Sequence, residues 1–348
     1  MKKKEVSMSL SRRVKNFFFR IIGGTVIIGA IVFIFLNIPS KEHQAPVEFG
    51  VNFSPPYAES FGLDWKKTYI AILDDLGVKR FRLAAYWDVV EPQNDSFNYD
   101  ALDFQLGEAA KRGAKVILAI GRKLPRWPEC HTPTWVDPSK KADMERELLE
   151  YEQNVVVRYK DHPVIERWQI ENELLFPFGV CPHWLGLGTL KKEIMQVRAL
   201  DSKPIVVTDS GEWTFWIPIS FYGDVLGISM YRESWNDTFG YIPFPISPGY
   251  YQARAKLISP WKKNVIVTEL QTEPWNKKAI QELTNEEIHT SMSVEKMKKN
   301  IEFAKNVGFS EVYLWGAEVW YWLKEHGDPS YWDAAKKEFT HSFDKGVE

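Results

Sequence analysis

The stretch Trp168-Gln169-Ile170-Glu171-Asn172-Glu173 decides the fold. It reads as the end of a buried strand that finishes on polar residues. A second stretch, Val265-Ile266-Val267-Thr268-Glu269-Leu270, repeats the pattern, with Glu269 placed 96 residues after Glu173. Short β-branched runs of this kind are strands buried on both faces, as in parallel sheets. Similar runs lie at 49–53, 80–85, 115–120, 165–170, 204–208, 225–230, 264–269 and 311–315. Helical spacing fills most of the gaps. In 64–76, Trp65, Tyr69, Ile72 and Leu76 recur at steps of three or four, and 100–112, 142–160, 190–200, 294–307 and 329–339 are also helical. Gly77, Gly113 and Gly308 stand just past helix ends, where a left-handed residue is wanted.

Eight strand–helix units allow an open doubly wound sheet or a closed barrel. No glycine-rich phosphate loop follows the first strand, where Asn52-Phe53-Ser54-Pro55-Pro56 stands instead. The expected fold is therefore an α/β (β/α)8 TIM barrel over residues 48–342. Of the 348 residues 45% are hydrophobic, ample for such a core, and many of the 15 tryptophans fall in loops.

The charge is unevenly spread. Seven basic residues against Glu5 give the first forty residues +6, so a total of −2 leaves −8 for the rest. A mildly acidic body excludes nucleic acid as the main partner, since phosphate binding needs a basic surface. Residues 21–36 are apolar except for Thr25. The expected organisation is a basic cytoplasmic tail at 1–16, a single transmembrane anchor at 17–38 and a tether at 39–47 before an exported barrel. A cleaved signal peptide is the alternative, although Asn37-Ile38-Pro39-Ser40 is a poor cleavage site. Cys130 and Cys181, the only cysteines, are a disulfide candidate in an exported domain. Free thiols, or zinc held with His131 and His183, are the other readings.

A barrel places function on the loops at its C-terminal strand ends. Those ends read Asn52, Arg82, Arg122, Asn172-Glu173, 209–212, Tyr231-Arg232, Glu269 and Trp315. Carboxylates on two different parallel strands suit glycoside cleavage with retention, one as acid/base and one as nucleophile. Taken singly, each glutamate also fits a helix-start acid or an ion-pair partner. Strand alternation sends Glu171 to the face opposite Asn172, and Glu173 would share the face of Glu171.

The order of these features resembles clan A of the glycoside hydrolases, retaining (β/α)8-barrel enzymes. The resemblance rests on Arg82 after strand two, Asn172-Glu173 after strand four, Tyr231 after strand six, Glu269 after strand seven and Trp315 after strand eight. Tyr86-Trp87-Asp88-Val89-Val90-Glu91-Pro92 and Leu124-Pro125-Arg126-Trp127-Pro128 resemble loops of the same clan.

The resemblance implies a retaining β-glycosidase acting on oligo- or polysaccharide, with no cofactor and no metal. Glu269 would be the nucleophile, held by Arg82 and Tyr231, and Glu173 the acid/base. Asn172 would bind the sugar 2-hydroxyl, and Trp315 would floor the site. Trp127 and Glu318 are further substrate-binding candidates, with Glu91, Asp209, Glu212 and Glu273 behind them. Trp135, Trp184, Trp213, Trp216, Trp235 and Trp275 are candidates for the cleft lining. A non-catalytic carbohydrate-binding barrel and an envelope-glycan transglycosylase are the alternatives.

Overall fold

The computed structural model describes residues 17, 19–20, 23–25, 27–38, 46–236, 238–262 and 264–344, the last four as backbone only. The proposed tail at 1–16 and most of the tether lie outside the described residues.

Eight parallel strands close into a barrel: β1 (Glu48–Asn52), β2 (Arg80–Ala84), β3 (Lys115–Ile120), β4 (Ile165–Ile170), β5 (Ile205–Asp209), β6 (Val225–Met230), β9 (Asn264–Gln271) and β10 (Glu311–Trp315). The two remaining strands, β7 (Glu233–Asn236) and β8 (Gly240–Pro243), form an antiparallel hairpin after β6 that the sequence reading did not include. Helices follow the expected runs, among them Trp65–Asp74, Asp100–Lys111, Lys141–Tyr159, Leu187–Leu200 and Val294–Val307. Ser293 caps the last of these by accepting from Lys296 N, and Gly308 ends it at φ +76°. Only a left-handed residue closes that turn without steric cost.

The main core lies between the barrel and its helices. Trp168 and Ile170 of β4 join Leu148, Tyr151 and Val155 of helix Lys141–Tyr159 there. A small apolar plug, Ile117, Val206, Val225, Ile266 and Tyr313, occupies the barrel interior. At the N-terminal end, Arg80 pairs with Glu166 at 2.7 Å and Arg167 with Glu311 at 2.6 Å. The polar C-terminal end is the mouth of the barrel.

Among the described residues no helix is long and apolar enough to cross a membrane. The described residues of the expected anchor are helical up to Leu36, and Ile28, Ile31, Ile34 and Phe35 are each at least 60% exposed.

Candidate active site

Two departures from regular strand geometry build the site. In β4, Gln169 points into the barrel and its Oε1 accepts from Arg82 Nε at 2.7 Å. Alternation would next put Glu171 inside, but left-handed φ values at Glu171 (+58°) and Glu173 (+42°) break it. Glu171 turns outward instead, and its carboxylate accepts from the backbone N–H groups of Arg122 (2.8 Å) and Lys123 (2.6 Å). Asn172 turns inward, and Oδ1 accepts from Arg82 Nη2 at 2.7 Å and Thr208 Oγ1 at 3.1 Å. Glu173 stays on the inner side and lines the central cleft, its N–H bonded to Thr208 Oγ1 at 2.8 Å. The expectation that Glu171 and Glu173 share a face is thus overturned, because the backbone reverses at each of them.

The second departure is in β9. Val267 pairs with Ile228, but the next partners are Glu269 and Ser229, which leaves Thr268 as an extra residue. The β10 side shows the same shift between Val312 and Leu314. Such a bulge re-aims the side chain that follows it. Here it turns Glu269 toward the cleft, although β9 runs on to Gln271.

Arg82 is the hub. Its side chain is fully buried and salt-bridged to Glu269 Oε1 through Nη1 at 2.8 Å. The same guanidinium donates to Asn52 Oδ1 at 2.9 Å as well as to Gln169 and Asn172. Tyr231 donates its hydroxyl to Glu269 Oε2 at 3.3 Å. Both oxygens of Glu269 are therefore held by donors.

Glu173 has the opposite surroundings. Its Oε1 is buried without a hydrogen-bond partner. Burial, and then the negative charge of Glu269, hold its carboxyl well above the ordinary carboxylate range, with Lys123 partly offsetting them. The Lys123 ammonium is itself occupied by the carbonyls of Glu173 (2.9 Å) and Phe176 (2.8 Å). Other acids near the site are displaced in the same direction. Burial, followed by Glu269, pushes Glu129 up to about 8. Burial pushes Glu212 up to about 7 and Asp209 to about 6.

The cleft measures about 950 Å³, within the usual range for small-molecule sites. Trp127, Phe178, Trp213, Phe244, Trp275 and Trp315 give it aromatic walls. Trp127, 66% exposed, stands at the rim. Trp315 has one ring face covered by the Arg126 guanidinium, 4.0 Å from its centroid, and Tyr57 stacks on the same group at 3.7 Å. Cys130 and Cys181 are joined in a disulfide with Cα atoms 5.1 Å apart. It ties the loop that carries Arg126, Trp127 and Glu129 to the loop after β4.

Several sequence candidates fall elsewhere. Arg82 and Asn172, both about 2% exposed, lie beneath the cleft surface. Glu318 is fully buried and accepts from Ser54 N at 2.7 Å and Arg126 Nη2 at 2.9 Å, so it braces Arg126. Glu91 accepts from Trp87 Nε1 and Asp95 N, a local structural role. Trp135 packs on Trp87, Trp184 on Lys123, Trp216 on Arg254 and Trp235 on Tyr241. Sequence reasoning missed Tyr57, Lys123 and Glu129. Only Glu129 carried a signal, its position beside a cysteine. Among the described residues no group of three or more His, Cys, Asp or Glu is arranged to hold a metal ion.

Residues 59–182 match the glycoside hydrolase 42 family model, described as beta-galactosidase. No curated protein matches the chain. Among solved structures, GH5_18 from Streptomyces cattleya in complex with GlcNAc superposes with a TM-score of 0.54 at 15% identity, covering 78% of this chain and 71% of that one. GH5_18 from Bifidobacterium longum subsp. infantis gives 0.55 at 14%, with 85% and 79% covered. A beta-galactosidase from Halorubrum lacusprofundi gives 0.56 at 14%, with 84% and 58% covered. The barrel is therefore the fold these glycoside hydrolases share. Residues 59–182 thus resemble a glycoside hydrolase family over part of the chain, and the inward pair Glu173 and Glu269 with the Arg82 hub is the arrangement that the clan A resemblance implies.

Proposed function

We propose that the protein is a retaining β-glycoside hydrolase acting on oligo- or polysaccharide by double displacement. One observation carries this reading: two glutamates in one cleft have opposite surroundings. Environments that push two carboxyls apart assign acid and nucleophile. Glu269, ion-paired and hydrogen-bonded, attacks the anomeric carbon and forms the glycosyl ester. Glu173, kept protonated by burial and by Glu269, gives its proton to the departing oxygen. It then takes a proton from the water that cleaves the ester. Asn172, fixed by Arg82 and Thr208 beneath the cleft floor, would meet the sugar 2-hydroxyl only if its Nδ2, now 3.4 Å from Glu129 Oε2, turned up into the cleft. The GlcNAc complex of the Streptomyces cattleya GH5_18 and the beta-galactosidase likeness favour a pyranose substrate of the hexose or hexosamine type.

The test is Glu269→Ala and Glu173→Ala made separately. Loss of the acid/base lowers kcat on the order of 10²–10⁴-fold. Azide should restore turnover in Glu173→Ala and yield a β-glycosyl azide, whereas azide with Glu269→Ala should yield the α-azide. Full activity in either variant sinks the assignment of that glutamate, whereas a wild type that binds glycans and cleaves none favours a binding barrel. Product analysis with a sugar acceptor separates hydrolysis from transglycosylation.

The apolar run at 21–36, its basic flank and the disulfide support a membrane-anchored, exported enzyme with a cytoplasmic N-terminus. Membrane fractionation of the full chain beside a chain begining at residue 46 checks this. Equal release of both by carbonate would overturn it.

A further inference from the structure

We infer that Glu273 is a specificity-determining residue, the acceptor for one hydroxyl of the sugar on the retained side of the scissile bond. This rests on the glycosidase reading above. Glu273 lies four residues after the nucleophile and lines the cleft. One of its oxygens is fully engaged: Oε1 accepts from Arg126 Nη1 at 2.5 Å and from Tyr57 OH at 3.4 Å. The other, Oε2, is buried and has no partner. A carboxylate oxygen left without a donor in a 92%-buried residue is costly, and a native site rarely keeps one without a use.

The carboxylate is also held rigidly. Thr272 N and Oγ1 both donate to the carbonyl of Trp315, at 3.2 and 2.8 Å, which pins the loop to the end of β10. Trp320 Nε1 donates to Thr272 O at 2.9 Å, and Asn300 Nδ2 to Gln271 O at 2.8 Å. Gly316, at φ +139°, permits the contact, since a Cβ there would stand 2.7 Å from Glu273 Cβ. Arg126 is in turn fixed between Tyr57 and Trp315 and braced by Glu318. Fixed acceptors of this kind discriminate among sugars, because a ligand lacking the matching hydroxyl leaves the carboxylate unpaired.

Chemistry sets the side. Glu173, after β4, protonates the departing oxygen, so the leaving sugar lies toward β4. The retained sugar lies toward β9 and β10, where Glu273, Arg126, Tyr57 and Trp315 converge. The ligand group is a neutral hydroxyl donor. Arg126 already balances one oxygen of Glu273, and Glu318 takes up its second nitrogen.

The experiment uses 4-nitrophenyl β-glycosides of gluco, galacto, manno and xylo configuration, then the 3-, 4- and 6-deoxy analogues of the best of them. With wild type, one deoxy position should lower kcat/KM by about 10- to 100-fold, the worth of one charge-assisted hydrogen bond. Glu273→Gln should lose a similar factor on the parent sugar, yet less than about 3-fold on that one deoxy analogue, since the bond is already gone. Its losses at the other positions should match those on the parent. Gly316→Ala, which displaces Glu273 without changing its charge, should show the same selective pattern. A uniform loss across all analogues in both variants would mean that Glu273 merely props up Arg126, and would overturn the inference. Unchanged kcat/KM on the parent sugar would overturn it too. If wild type cleaves no glycoside while binding glycans, the glycosidase reading itself has failed and the inference falls with it.

Discussion

Two groups of buried acids sit back to back across the end of β4, and they differ in almost everything except residue type. On the inner side, Glu173 and Glu269 share a cleft with the cation of Arg82 and an aromatic wall. On the outer side, Glu171 faces Glu152 and Glu193 from the two flanking helices, and all three are buried. Glu171 has two backbone donors, whereas both oxygens of Glu152 and one of Glu193 have no partner outside the group. Burial is the leading cause raising all three carboxyls, and neighbouring acids raise Glu152 and Glu193 further. The difference teaches that buried carboxyls become reactive only where a counter-charge holds one of them and a cavity admits a ligand. Without these they share protons and act as neutral packing.

Removing the counter-charge breaks the contrast most severely. Arg82→Met strips the partner from Glu269 and donors from Asn52, Gln169 and Asn172. Breaking one side of a buried ion pair costs about 3–5 kcal/mol. The melting temperature should fall accordingly, and kcat should drop on the order of 10²–10³-fold, as when one preorganised donor is lost. Lysine at this position should rescue little, since an ammonium cannot reach four acceptors in a plane. A well-folded Arg82→Met enzyme with near-normal kcat would dissolve the distinction between the two groups.

How much of this was readable in the sequence follows from the same two glutamates. Short β-branched runs bounded by turn residues located all eight barrel strands to within about two residues, because strands buried on both faces read as continuous apolar stretches. Alternation could not place Asn172 beside Glu173 on the inner face, nor could it place Glu269 there. Asn172 turns inward because left-handed backbone at Glu171 breaks the period, and Glu269 because a bulge does. Neither feature has a side-chain signature here, since no glycine or proline marks either site. The hairpin of β7 and β8 was hidden for a related reason. Its strands are four residues each and only half-buried, too short for a pattern. Glu129 and Lys123 matter through contacts made across loops, and such contacts have no local spacing to read.

The disulfide sharpens the comparison at intermediate size, because it touches only the cleft side. Cys130→Ser together with Cys181→Ser frees the loop that bears Glu129 and Arg126 from the loop after β4. The expected cost is about 2–4 kcal/mol of stability. Activity should fall as well, through a higher KM, because the cleft wall at Trp127 and Phe178 loses its tie. The pH dependence contributed by Glu152, Glu171 and Glu193 should stay as in wild type, read as the same effect of Glu193→Gln with and without the disulfide. Loss of that effect with unchanged KM would reverse these assignments.

The smallest effect should come from the outer group, and its sign is fixed by linkage. Each of its carboxyls has a folded-state pKa above the unfolded value of about 4.3. The folded chain therefore holds protons that the unfolded chain has released as pH rises past that value. Stability from these groups is complete below about pH 4 and is lost as pH climbs through the raised folded values. Glu193→Gln keeps the shape and the hydrogen-bonding capacity but removes one proton demand. At pH 8 the variant should be more stable than wild type by about 1–3 kcal/mol, the cost of leaving a buried polar group unsatisfied. Near pH 3, where the wild-type group is almost wholly protonated in both states, the gap should close. Turnover should be unaffected, as Glu193 reaches neither the cleft nor Arg82. Denaturant unfolding at the two pH values checks the prediction. A gap that is equal at both, or larger at the acidic one, would mean that the outer acids are not proton-sharing packing.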